Sequence, residues 1–184
     1  MSRVLEAFYD VVKRIVKNFE KMEIDYAFTG ALAVSFYGVP RTTVDVDVVV
    51  AVAEVKQRVR LVEALKKARL VVDEREIDRA LESGYKIATF KDSKTAYSVD
   101  VIFSDKKLEK RAGTVAGLPC FYQTPEELIL AKLRMIKATV PRERTLKDEE
   151  DIKAILNFTK VNVEAVKKQA KKDSTLALFD TLTR

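Results

Sequence analysis

The 184-residue chain contains no histidine, no tryptophan and a single cysteine, Cys120. The absence of histidine excludes Ser-His-Asp and Cys-His catalysis, HExxH zinc sites and histidine-rich metal centres. One cysteine permits neither an internal disulfide nor a four-cysteine metal site, and we interpret Cys120 as a small, semi-buried apolar residue. Any catalysis therefore depends on carboxylates, Lys or Arg, hydroxyls and a hard metal, for which oxygen ligands favour Mg²⁺ or Mn²⁺.

Long hydrophobic runs are also missing. No apolar run approaches the roughly 18 residues that a membrane-spanning helix needs. The N-terminus lacks the continuous apolar core and the small-residue cleavage site of a signal peptide. Because 47% of the residues are apolar and 34% are charged, we expect a globular, cytoplasmic protein without a membrane partner. High charge together with few Asn, Gln and Cys residues is also typical of a thermophile.

The charge of the chain is unbalanced towards the basic side. The formal net charge is +6 and the pI is about 9.3. This excess favours an anionic partner such as a nucleotide or RNA. The alternative is that the lysines form ordinary solvated helix faces.

The hydrophobic spacing predicts an α/β (α+β) chain, a mixed sheet of about four to five strands flanked by helices. Helices are predicted over 4–19, 31–37, 54–68, 124–138, 146–158, 162–172 and 176–182, and strands over 25–29, 44–52, 85–90 and 96–103. One more strand is expected at 113–115 or 120–122, residues 69–84 are predicted to be a short connection and a helical turn, and 140–144 to break a helix. We therefore divide the chain into a core, 1–123, and a C-terminal helical subdomain, 124–184.

Two carboxylates stand out inside the predicted strand 44–52. Asp45 and Asp47 project from the same side of it, roughly 6.5–7 Å apart along the backbone, because side chains alternate along a strand. Like charges in a valine-rich strand are costly unless a cation or solvent compensates them. The pair is the best functional candidate, and a solvent-facing pair on an edge strand is the alternative.

A third carboxylate, Asp100, lies within the apolar strand 96–103. Three acids on neighbouring strands can hold two divalent metals, one that activates a hydroxyl and one that holds a triphosphate. The alternative for Asp100 is a surface-facing acid on the strand.

A glycine turn precedes the acidic strand. Thr29-Gly30-Ala31 comes just before a predicted helix, where free backbone N–H groups and the helix dipole attract phosphate. Gly30 allows the backbone to approach a ligand closely, although a plain strand-to-helix turn would use the same residue. The phosphate turn followed by Asp-x-Asp is a coherent arrangement, whereas either part alone is a weak signal.

Together these residues resemble the nucleotidyltransferase superfamily of the DNA polymerase β type. The chain is most similar to the AbiEii-like branch, the toxin side of type IV toxin–antitoxin systems, with its motif Gly-Gly-x-Ala, a spacer and Arg-x-Thr-x-Asp-x-Asp. The matching residues are Gly30, Ala31, Ala33, Gly38, Arg41, Thr43, Asp45 and Asp47. The resemblance extends from about Tyr26 to Asp151 and includes the weaker matches Pro125–Leu128, Lys132, Lys147, Asp148 and Asp151.

The resemblance implies a nucleotidyltransferase fold and a set of roles. Asp45, Asp47 and Asp100 would together bind two ions of Mg²⁺ or Mn²⁺. Asp100 would also help to deprotonate the acceptor hydroxyl. Gly30 and Ala31 would cradle the nucleotide phosphates, Lys132 would contact the triphosphate, and Arg41 would pair with phosphate or brace the acidic strand. From the residues alone, Arg41 could equally be a loop salt bridge, Lys132 a solvated helix lysine, and Lys147, Asp148 and Asp151 helix-start pairs.

The implied activity is transfer of an NMP from an NTP such as ATP to a hydroxyl acceptor. The acceptor would be tRNA or other RNA, a protein or a small molecule, and a cognate antitoxin is a possible partner. Ala31 departs from the family pattern of Gly or Ser and loses a hydroxyl contact to phosphate. This departure motivates an alternative, a catalytically weak nucleotide- or partner-binding module. A metal-dependent nuclease is a third, minor alternative.

Overall fold

The structure is a computed structural model that describes residues 3–38, 40–84, 86–140 and 145–184. The helices in these ranges are α1 (Arg3–Lys21), α2 (Gly30–Phe36), α3 (Val55–Lys67), α4 (Glu74–Glu82), α5 (Pro125–Ala138), α6 (Leu146–Phe158), α7 (Val163–Lys172) and α8 (Leu176–Leu182). The strands are β1 (Tyr26–Phe28), β2 (Asp45–Ala51), β3 (Ile87–Lys91), β4 (Ser98–Ser104), β5 (Lys110–Val115) and β6 (Leu118–Gln123).

The strands form one mixed sheet in the order β3-β4-β2-β1-β6-β5. The acidic strand β2 is parallel to β4 on one side and antiparallel to β1 on the other. Strand β4 is also interior, because β3 pairs with it antiparallel. The predicted α+β class is confirmed, and Asp45 and Asp47 do not belong to an edge strand.

The chain packs as two compact units. The first contains residues 1–32 and 42–123, and the second contains residues 33–41 and 124–184. Residues 33–41 thus belong to the second unit although they lie within the first part of the chain. The division into a core, 1–123, and a C-terminal helical subdomain, 124–184, stays a prediction.

One face of the sheet is buried in the core of the first unit. Val46, Val48 and Val50 of β2 are fully buried, as are Val99 and Val101 of β4. The amphipathic face of α1 contributes Phe8, Val11, Val12, Ile15, Val16 and Phe19. Because side chains alternate along a strand, the polar residues of β2 and β4 are left on the opposite face.

The second unit has a core of its own. Helix α5 contacts α6 and α7, and α8 contacts both of these helices. The buried side chains are Leu128, Ile129, Leu133, Ile152, Ile155, Val166 and Phe179. Thr124 begins α5 as predicted, because its hydroxyl accepts the backbone N–H of Glu127 and Pro125 occupies the first turn.

Two differences separate the predicted elements from the observed ones. The described residues form six strands rather than four to five, because both 110–115 and 118–123 are strands and pair as a hairpin. Its turn, Ala116-Gly117, has positive φ at both residues (48° and 81°), as a two-residue hairpin turn requires. Residues 74–82 form a full helix, α4, capped by Asp73, instead of a single helical turn.

Helices spanning a membrane were not expected, and none of those described is both long and apolar enough to cross one. The predicted helix break over 140–144 falls almost entirely on residues 141–144, which lie outside the described ranges.

A buried ion pair anchors the connection between β3 and β4. The side chain of Asp92 is fully buried and lies 2.7 Å from the guanidinium of Arg14 on α1. Asp92 also accepts hydrogen bonds from the Thr95 hydroxyl (2.8 Å) and from the backbone of Lys94. Arg14 in addition donates to the carbonyl of Ala68, so one guanidinium ties the start of the hairpin to the end of α3.

We expect Asp92→Asn to lower the free energy of unfolding at pH 7 by about 2 kcal/mol, because hydrogen bonds to a charged group become neutral ones. Burial alone would raise the pKa of Asp92, but the hydrogen bonds from Arg14 and Thr95 outweigh it and hold that pKa below its usual value. A lowered pKa gives stability that is fully present above the pKa of the unfolded chain, about 3.9, and is lost as the pH falls through the folded value. Urea unfolding of both proteins at pH 7 and in acid measures this.

Asp78→Asn is the matched control for this prediction. Asp78 pairs with Arg58 at 2.6 Å, but half of its side chain is exposed, and such surface pairs contribute about 1 kcal/mol or less. Equal losses in the two variants, or a loss in Asp92→Asn that does not shrink in acid, would contradict the prediction.

Candidate active site

The three predicted acids lie on the face of the sheet opposite the buried one. The parallel register of β2 and β4 pairs Asp47 directly with Asp100, and Asp45 with Ser98. Paired residues on neighbouring strands point to the same face, so Asp45, Asp47 and Asp100 share one side of two adjacent interior strands. All three are half-buried.

Two of these carboxylates are held by hydroxyls from the neighbouring strand. Ser98 donates to Oδ1 of Asp45 at 2.5 Å. Thr89 of β3, which pairs with Asp100 across the antiparallel ladder, donates to Oδ1 of Asp100 at 2.6 Å. Neither hydroxyl is part of the motif that indicated the site, and only the strand register reveals them.

Local hydrogen bonds shape the entry to β2. The Thr43 hydroxyl bonds the backbone of Asp45, accepting from its N–H at 3.2 Å and donating to its carbonyl at 3.0 Å. The backbone N–H of Thr29 donates to the carbonyl of Asp47 at 3.0 Å. The second bond places the end of β1, and the glycine turn after it, beside Asp47.

Gly30 packs directly against the Asp47 side chain. It is the first residue of α2 and has a φ of 56°, a left-handed conformation that favours glycine. A Cβ at this position would overlap Oδ2 of Asp47 and lie 2.7 Å from its Cγ. The turn therefore needs glycine both for its backbone conformation and for the space that the carboxylate occupies.

The structure places the two predicted phosphate-binding cations, Arg41 and Lys132, in the second unit and brings them together. Lys132 is buried on α5 and lies 2.8 Å from both Asp148 and Asp151 of α6. Arg41 lies 3.3 Å from Asp151, which is also buried. Lys132 is thus not a solvated helix lysine, and Asp148 and Asp151 do more than pair within a helix start.

This ionic cluster is not fully satisfied. Nη2 of Arg41 and Oδ1 of Asp151 are buried and have no hydrogen-bond partner among the described residues. Two cations and two carboxylates cancel in charge, so the cluster holds no excess charge. The predicted phosphate contacts of Arg41 and Lys132 stay predictions.

The donor set of Asp45, Asp47 and Asp100 suits a hard divalent cation. Carboxylate oxygens are the ligands that Mg²⁺ prefers, and Mg²⁺ is commonly held by one or two carboxylates together with substrate phosphates. Among the described residues, no three acidic or cysteine side chains converge closely enough to form a metal site. Asp47 and Asp100 on adjacent strands fit the two-carboxylate arrangement, and the metal-binding roles of the three acids stay predictions.

Cys120 lies outside this site. It is a free, buried residue of β6, as its interpretation as an apolar residue predicts. Burial raises the pKa of its thiol, which leaves it a poor nucleophile.

Comparison with solved structures places this architecture among known folds. The chain is similar to the antibiotic-resistance factor ANT(2'')-Ia, with a TM-score of 0.62 at 14% identity over 96% of this chain and 92% of that one. A structure of ANT(2'')-Ia in complex with adenylyl-2''-tobramycin gives the same TM-score and identity over 97% and 99% of the two chains. The chain has a nucleotidyltransferase fold. It is also similar to an antigenic nucleotidyltransferase-like protein from Paracoccidioides brasiliensis, with a TM-score of 0.56 at 18% identity over 96% and 93% of the two chains.

No protein-family model matches the chain, and no curated protein sequence matches it either. At these identities the structural similarity shows the nucleotidyltransferase fold and not the branch within it. The expected similarity to AbiEii-type toxins stays a prediction.

Proposed function

We propose that this chain is a metal-dependent nucleotidyltransferase that transfers an NMP from an NTP to a hydroxyl acceptor and releases pyrophosphate. The observation that carries the proposal is the register of β2 and β4, which pairs Asp47 with Asp100. On a nucleotidyltransferase fold, this pair lies beside a glycine turn that packs against Asp47. Two like charges on one face of adjacent interior strands are costly for folding unless a cation or solvent compensates them, so a purely structural role does not explain the pair.

The proposed roles follow from the chemistry of each group. Asp45, Asp47 and Asp100 would hold Mg²⁺ or Mn²⁺ through their carboxylate oxygens. When bound, the metal supplies electrostatic stabilisation of the charge that develops on the phosphate oxygens. The backbone N–H groups at Gly30 and Ala31 would donate to the nucleotide phosphates.

The transfer step is an in-line displacement at phosphorus. The acceptor oxygen bonds to the α-phosphorus, the bond from that phosphorus to the bridging oxygen of the β-phosphate breaks, and pyrophosphate leaves. Asp100 is the proposed acceptor of the hydroxyl proton. The Thr89 hydroxyl engages its Oδ1, and a carboxylate keeps further acceptor positions for that proton.

The proposal also concerns the chemical class of the acceptor. The excess of basic residues favours RNA, including tRNA, and the resemblance to AbiEii-type toxins adds a cognate antitoxin as a partner. The adenylyl-2''-tobramycin bound to ANT(2'')-Ia suggests a small hydroxylated molecule instead.

The test is incubation of the purified chain with each α-labelled NTP, Mg²⁺, and either total cellular RNA, total protein or an aminoglycoside such as tobramycin. We expect one pool to become labelled while pyrophosphate is released. RNA degradation without NTP would instead support the nuclease alternative. No labelled pool and no pyrophosphate with any NTP would contradict the proposed activity.

A second candidate function is a nucleotide-binding module with weak or no catalysis. Two observations favour it, namely Ala31 in place of Gly or Ser and the engagement of both Arg41 and Lys132 by carboxylates. Calorimetry with NTP and Mg²⁺ followed by a pyrophosphate-release assay distinguishes the two functions. Binding without release would support the module.

A further inference from the structure

The hydroxyls of Ser98 and Thr89 have a feature in common that the motif does not include. Each hydroxyl belongs to the residue that pairs, on the neighbouring strand, with the carboxylate it contacts. Ser98 is opposite Asp45, and Thr89 is opposite Asp100. Each donates to the Oδ1 atom, at 2.5 Å and 2.6 Å. Two of the three acids are therefore held in the same way, Asp45 on β2 by a hydroxyl from β4 and Asp100 on β4 by a hydroxyl from β3.

Such a bond orients a carboxylate without neutralising it. The terminal torsion of an aspartate is broad, so a free carboxylate samples many orientations. A hydroxyl that donates to Oδ1 restricts this rotation and adds no charge. An ionised carboxylate offers about four lone-pair positions over its two oxygens, so Oδ2 can still bind another partner.

We propose that Ser98 and Thr89 are positioning residues that orient Asp45 and Asp100 for a divalent cation, an inference that rests on the proposed function. Their side chains act through the two carboxylates and need not touch the nucleotide. Metal-binding carboxylates are commonly held by such outer hydrogen bonds, and loss of one typically weakens metal binding 10- to 100-fold.

The same strand provides a matched comparison. Ser104 lies on the same face of β4 as Ser98, since both are an even number of residues from Asp100. Its hydroxyl donates to the backbone carbonyl of Lys106 at 3.0 Å, not to a carboxylate. Serine on this face therefore does not bond an acid by default, and Ser104→Ala removes a strand hydroxyl without disturbing the acids.

The test measures Mn²⁺ binding by calorimetry or electron paramagnetic resonance, alongside NMP transfer. We expect Thr89→Val and Ser98→Ala each to weaken Mn²⁺ binding about tenfold, and the conservative Thr89→Ser to restore it. Ser104→Ala is expected to bind Mn²⁺ like the wild type. Thermal unfolding checks that each variant is folded, and Thr89→Ala, which also lacks the hydroxyl, provides the readout if Thr89→Val does not fold.

The outcomes separate the inference from the proposed function. Unchanged Mn²⁺ binding and transfer in Thr89→Val and Ser98→Ala would overturn the positioning roles and leave the activity standing. A wild type that binds Mn²⁺ but transfers no NMP, with weaker binding in both variants, would support the positioning roles and overturn the activity. A wild type that neither binds Mn²⁺ nor transfers an NMP would overturn both, whereas transfer without Mn²⁺ binding would overturn the positioning roles alone. Equal weakening by Ser104→Ala would overturn the specific roles of Ser98 and Thr89.

Discussion

Asp47→Asn is expected to reduce NMP transfer by about a thousandfold, equivalent to several kcal/mol of transition-state stabilisation. Asparagine keeps the shape of the side chain but removes the negative charge that would bind the metal alongside Asp100. Asp47 lies on an interior strand, opposite Asp100 and against the glycine turn. Pyrophosphate release at saturating NTP and Mg²⁺ measures the effect, and Asp45→Asn is expected to behave in the same way.

The control for this prediction is Asp105→Asn. Asp105 follows β4, is exposed, and pairs with Lys86 on the surface, so its substitution removes the same charge away from the acidic face. Undiminished NTP consumption by Asp47→Asn would refute the site. Equal losses in the two variants would show that overall charge, and not this carboxylate, determines the rate.

Gly30→Ala is expected to lower the free energy of unfolding by about 3 kcal/mol and to abolish most transfer. Part of the loss comes from the left-handed backbone, which costs a residue with a Cβ about 1–2 kcal/mol. The rest comes from overpacking, about 1–3 kcal/mol, because the new Cβ would overlap Oδ2 of Asp47. Urea unfolding measures the loss in the free energy of unfolding, and pyrophosphate release measures the loss of transfer caused by the displacement of Asp47.

Gly117→Ala separates the two causes. Gly117 also has a positive φ, 81°, but a Cβ there would meet no atom of the described residues within 4 Å. We expect this variant to show the backbone cost alone and to keep its activity. If Gly30→Ala is no less stable than Gly117→Ala and is fully active, the packing of Gly30 against Asp47 contributes neither to stability nor to transfer, and the prediction is wrong.

The acidic strand was predictable because its signals are local. Alternation of side chains along β2 requires only that residues 44–52 be extended, and a valine-rich composition favours this. The same pattern placed Asp100 on the polar face of β4. Periods of two and 3.6 residues are properties of the backbone, so α1, β2 and α5 follow from the sequence alone.

The hairpin of β5 and β6 was only half predicted, and the reason is physical. Its strands are short, and Pro119 lies inside β6, where proline removes a backbone donor and argues against a strand. Pairing of 110–115 with 118–123 across the Ala116-Gly117 turn outweighs that local cost. A contact between strands thus decides what a single segment cannot.

The same limit applies to Arg41 and Lys132. Their residue types suggest phosphate ligands or solvated cations equally well, since each is a positive charge at the end of a long side chain. Burial of Lys132 against Asp148 and Asp151 becomes visible only when α5 and α6 pack. Long side chains find partners that are distant in sequence, which no local pattern specifies.

By itself, the sequence determined that β2 carries two acids on one side and that a glycine turn precedes it. It also excluded catalysis by histidine or by a Cys-His pair. Each of these conclusions depends only on composition or on neighbouring positions in the chain. Only the tertiary structure decided that Asp47 lies beside Asp100, that Ser98 and Thr89 hold the acids, and that Gly30 gives Asp47 its space. Those facts depend on strand register and close packing, where a shift of one residue would turn every side chain to the other face.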